Sequence, residues 1–91
     1  PEQDSFSFMS QDNKNVILET IKRAEDGDGI IVRLYEVENK TTDVTVKTAF
    51  NITEVVETNL MEEKVEGAVS ANGNEFTFRI KPFEIKTFRI R

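Results

Sequence analysis

The chain has 91 residues, and 17 Asp and Glu against 12 Lys and Arg leave a net charge of −5. It contains no Cys, His or Trp, which excludes disulfides, thiolate chemistry, a Ser-His-Asp or Cys-His nucleophile and the commonest zinc ligand. The length suits one domain spanning 1–91, and the negative charge argues against nucleic acid, which needs a basic footprint.

Val and Ile supply 17 residues and Thr 9, against 3 Leu, a β-branched excess that favours strands. Strands are expected near 5–9, 15–23, 30–37, 44–51, 54–60, 65–70, 74–80 and 84–90. The 15–24 stretch is ambiguous, because Ile17, Ile21 and Ala24 also share a helical face with Gly27 as a stop. Its β-branched content, and the Asp26-Gly27-Asp28-Gly29 turn leading straight into a strong strand, favour a strand. Residues 30–37 are apolar on both phases, as in a central strand. Val44, Val46, Phe50 and Ile52 share one face, with Thr45, Lys47 and Asn51 opposite. Asn72-Gly73 suits the central pair of a type I′ hairpin turn. Phe76, Phe78 and Ile80 then alternate with Thr77, Arg79 and Lys81. The last segment changes phase: Phe83 and Ile85 lie on one parity, Phe88 and Ile90 on the other. That predicts a bulge, or a strand that moves between sheets. Short strands with turns every eight to twelve residues or so indicate an antiparallel sandwich or barrel.

The longest apolar runs, Val16-Ile17-Leu18 and Gly29-Ile30-Ile31-Val32, fall far short of the roughly 20 residues that span a bilayer. Pro1-Glu2-Gln3-Asp4 has neither an initiator Met nor the basic start of a signal peptide. A chain beginning in this way is expected to come from something longer.

Candidate chemistry is thin. The acidic turn Glu25-Asp26-Gly27-Asp28-Gly29 offers oxygen ligands to a hard cation such as Ca²⁺, but an EF-hand's spaced third ligand and distal Glu are missing. Asp and Gly also suit any tight turn, which is the favoured reading. Asn39-Lys40-Thr41 and Asn51-Ile52-Thr53 match the N-glycosylation triplet, a pattern that matters only in a secretory pathway. The carboxylate pairs Glu62-Glu63, Glu54/Glu57 and Glu36/Glu38 have the type used for glycoside chemistry, yet no partner accompanies them. Most of the 12 Glu are read as solvated surface. Arg33 sits in the most apolar strand; if buried it needs a partner, with Glu36, Glu62 or Glu84 as candidates. Otherwise it covers apolar surface with its stem. Phe50, Phe76, Phe78 and Phe88 fall on apolar phases and are read as core.

Four blocks occur together: Asn15 through Gly27, Ile31-Val32-Arg33-Leu34-Tyr35-Glu36, Thr58-Asn59-Leu60-Met61-Glu62-Glu63, and Lys81-Pro82-Phe83-Glu84-Ile85-Lys86-Thr87-Phe88. Their order and spacing resemble the extreme C-terminal β domain of the α-mannosidases of glycoside hydrolase family 38, from about Ser5 to Arg91. The resemblance implies an all-β fold, an antiparallel β-sandwich of about seven to eight short strands. It also implies a noncatalytic domain that packs on and stabilises a zinc-dependent retaining enzyme. Nucleophile, acid and zinc belong to a separate N-terminal catalytic domain in that family. No catalytic or metal-binding residue carries over to this chain. Arg33, Tyr35, Glu36, Glu62 and Glu84 lie in the matching blocks and are implied to make polar contacts, either within the domain or between domains. The implied partners are the remaining domains of a parent mannosidase and its mannose-containing glycan, with no nucleic acid and no membrane. The absence of Cys and the high charge suggest a cytoplasmic setting. The alternative function is an autonomous carbohydrate-binding module using an exposed ring such as Tyr35. An immunoglobulin-like adhesion domain fits less well, because the Cys–Trp–Cys core is absent.

Overall fold

A computed structural model describes residues 9–59, 61, 63–65 and 69–91. Among them run eight strands: β1 (Met9–Gln11), β2 (Val16–Arg23), β3 (Ile30–Glu36), β4 (Thr42–Thr48), β5 (Val55–Thr58), β6 (Ala71–Asn72), β7 (Glu75–Ile80) and β8 (Ile85–Ile90). They form two four-stranded antiparallel sheets, ordered β1-β4-β7-β6 and β2-β3-β8-β5. The fold is an all-β sandwich. Among the described residues no helix is long and apolar enough to cross a membrane.

Alternation places the core. Val44 and Val46 of β4, and Phe76 and Ile80 of β7, meet Val32 and Leu34 of β3, and Phe88 and Ile90 of β8. Phe76, Phe78 and Phe88 bridge the sheets, with ring centroids 4.6–5.9 Å apart, the spacing of stacked, tilted and edge-on aromatic pairs. β3 is central, between β2 and β8, as its sequence anticipates.

β2 resolves the helix–strand ambiguity. Its pairing with β3 slips between Leu18 and Thr20, a bulge at Glu19. The extra residue lets Leu18 and Ile21, three apart, both pack on the core. A spacing of three inside a strand imitates a helix.

Several boundaries differ from expectation. Residues 5–8 lie outside the described residues, and β1 begins only at Met9. Of the 65–70 segment, Val65, Val69 and Ser70 are described and carry no strand; β6 is the two-residue Ala71–Asn72. The hairpin that follows pairs Asn72 with Glu75, so its central residues are Gly73 and Asn74. Gly73 has φ +67° and Asn74 does not have positive φ, the pattern of a type II′ turn rather than I′. β8 pairs with β3 from Ile85 to Ile90 without a register shift and stays in one sheet. The change of phase therefore reflects neither a bulge nor a change of sheet. Phe83 and Ile85 simply face outward.

Candidate docking face

Three chain crossings between the sheets meet at one end of the sandwich: residues 12–15, 37–41 and 81–84. Glu36, at the end of β3, ties them together. Its side chain is 1% exposed, and its carboxylate accepts from Asn15 Nδ2 at 2.8 Å, Glu38 N at 2.9 Å, Asn39 N at 2.8 Å and Phe83 N at 2.8 Å. Asn15 also donates to Thr42 Oγ1 at 2.8 Å, which fastens the start of β4. Burial pushes the Glu36 carboxyl pKa up. The N–H groups of Phe83, Asn15, Glu38 and Lys40 outweigh it and bring the value down to about 2.

Glu84 closes the third crossing. Its carboxylate accepts from Lys81 N at 2.8 Å, and its own N–H donates to the Lys81 carbonyl at 3.0 Å. Its carbonyl accepts from Glu36 N at 3.1 Å, so the turn is held from both sides. Phe83 inside it has φ +58° and is 62% exposed. A bulky residue in left-handed backbone is an outlier that costs about 1–2 kcal/mol, and here the hydrogen bonds to Glu36 and within the Lys81–Glu84 turn hold it there.

Beside this turn, the outward face of β2-β3-β8 carries one apolar row. Ile17 pairs with Tyr35, and Tyr35 with Ile85, in one row across three strands. Ile17 is 38% exposed, Ile85 58%, and Tyr35 lies half-buried between them. Tyr35, Ile85, Arg33 and Glu19 line a shallow groove. Arg33 pairs with Glu19 at 3.6 Å, rather than with Glu36 or Glu84 as its sequence neighbourhood suggests. The bulge brings Glu19 into reach, which no sequence spacing announces. Of the residues singled out from sequence, Glu36 and Glu84 cooperate on one turn, while Arg33 and Tyr35 stand on the adjoining face. Glu62 lies outside the described residues. Asn15, Glu19 and Phe83 are the members that sequence reasoning did not single out. The out-of-phase pair Phe83 and Ile85 was the available signal, since one short strand cannot bury both parities against one core.

The opposite end carries ion pairs. Asp26 meets Arg89 Nη1 at 3.0 Å, Asp28 meets Arg91 Nη2 at 2.9 Å, and Arg91 also reaches Glu54. The Asp28 N–H and the Arg89 guanidinium hold the Asp26 carboxyl below its usual range. Gly29 lets this turn lie against β8: its φ is +92°, and a Cβ there would sit 2.8 Å from the Ile90 carbonyl oxygen. The turn is a turn, fastened by arginines. Glu57 is likewise taken up by Lys86 at 3.0 Å. Among the described residues no three acidic side chains converge.

Residues 15–88 match the model of the glycosyl hydrolases family 38 C-terminal beta sandwich domain. The chain belongs to this family. The family 38 match begins at Asn15 and ends at Phe88, so it takes in the whole Asn15–Glu36–Phe83 bracket. The domain is also 37% identical over 92 residues to Alpha-mannosidase G of Dictyostelium discoideum. That alignment covers 91% of this chain but only 8% of the relative. No solved structure matches.

Proposed function

We propose that this family 38 domain is a noncatalytic unit of a zinc-dependent retaining α-mannosidase, packing on the other domains of the enzyme and stabilising them. The observation that carries the reading is the exposed row Ile17–Tyr35–Ile85 on a sheet whose opposite face is already packed. Covering Ile85 and Phe83 would contribute roughly 1–2 kcal/mol each, and small shares of this kind sum across an interdomain contact. Zinc, the catalytic carboxylates and the mannose-containing glycan belong, on this reading, to the remainder of the polypeptide.

The isolated domain is expected to fold, to leave an aryl α-mannoside uncleaved, and to retain no zinc after dialysis. Turnover by the pure fragment at a rate comparable to an intact enzyme would defeat the proposal. A second reading, a carbohydrate-binding module, draws on the groove where Tyr35 stands between Arg33 and Glu19. Calorimetric titration with millimolar mannose separates the two, since the docking reading expects no heat of binding.

A further inference from the structure

We infer that the 81–84 turn is a preorganised docking knob. On this view the Phe83 ring is the anchor that enters an apolar recess on the preceding part of the same polypeptide, with Ile85, Tyr35 and Ile17 as its apolar footing. The inference rests on the docking reading above and adds the contact residue and its partner surface.

Two independent features of Phe83 point the same way. Its backbone is left-handed, at φ +58°, where glycine or asparagine would sit without strain. Its ring is 62% exposed, so the domain's own core gains little from it. Strain maintained without an internal gain points to a use outside the domain. The conformation is also locked in advance: Glu36 grips the Phe83 N–H, and Glu84 closes the turn onto Lys81. A fixed aromatic presented at low entropic cost is the usual form of an interface anchor. The occupant follows from scale, because the matching region is 8% of an α-mannosidase chain and leaves a far larger body for the domain to rest on.

The test uses the full-length enzyme carrying a photoreactive benzoylphenylalanine in place of Phe83, and separately in place of Lys47 on the outer face of the other sheet. Illumination of the Phe83-substituted enzyme should attach the probe to residues upstream in the same polypeptide, mapped by mass spectrometry. Attachment upstream from position 47 alone would overturn the knob and leave docking intact. Failure of both positions to attach upstream would overturn both. Attachment from position 83 only between two polypeptides, or only to added mannan, would also overturn the inference. Phe83→Gly, which removes both ring and strain, should speed proteolytic release of the domain from the full-length enzyme about tenfold. An unchanged release rate would count against the anchor.

Discussion

Glu36 is a buried carboxylate whose described partners are N–H groups rather than a cation. That arrangement turns one side chain into the joint of three crossings. An anion in such a place needs every lone pair occupied, and its directional acceptors are what select one conformation of each crossing. Glu36→Gln keeps the shape but sets an amide N–H against backbone N–H donors. We expect the thermal midpoint of the isolated domain to drop by roughly 10 °C. Proton linkage gives a second signature. The folded carboxyl titrates near 2, below its ordinary 4.5, so the folded state binds this proton more weakly than the unfolded chain. The stabilisation is complete above about pH 4.5 and is lost as pH falls toward 2. Denaturation midpoints measured across that window should fall in the parent domain and fall less steeply in Glu36→Gln, where the lowered Asp26 and Asp43 carboxyls still titrate. Parallel curves would show that the carboxylate is not the group responsible.

At the scale of elements, β2 and β8 show how one residue decides which face a strand buries. In β8, regular pairing puts Ile85, Thr87 and Arg89 outward and Lys86, Phe88 and Ile90 inward. Lys86 takes the inward phase at the sandwich edge, where Glu57 receives its ammonium at 3.0 Å. The contrast gives a paired prediction for urea denaturation of the isolated domain. Phe88→Ala removes a ring from the aromatic bridge and should cost about 3–5 kcal/mol. Ile85→Thr, on the open face, should change stability by less than about 0.5 kcal/mol. Equal losses would mean that the two faces are not distinguished as the register says. In β2 the bulge at Glu19 reverses the phase midway, which is why Leu18 and Ile21 both face the core. Alternation is legible in a sequence only while the register is unbroken, so strand existence was readable here and the bulge was not.

At the scale of the whole molecule, the chain passes repeatedly between two sheets, and β3 and β8 pair although some fifty residues separate them. Such pairings pay loop-closure entropy before any contact compensates. The isolated domain should therefore fold in milliseconds to seconds, as stopped-flow refolding would record; completion in microseconds would contradict the topology. What the sequence determined by itself is the class and the kinship. β-branched alternation makes strands, Asp-Gly and Asn-Gly place turns, and the Arg33-to-Glu36 and Lys81-to-Phe88 blocks point to family 38. The absence of His and Cys excludes His- and Cys-based catalysis in this chain. Tertiary structure alone decided which polar residues meet. Glu36 lies 21 residues from Asn15 and 47 from Phe83, and Arg33 reaches Glu19 through a bulge. Local periodicity reports which face of a strand is apolar, because that is set by the next neighbour along the chain. It carries no information about partners brought together by sheet pairing, so the Glu36 joint emerges only when the chain has folded.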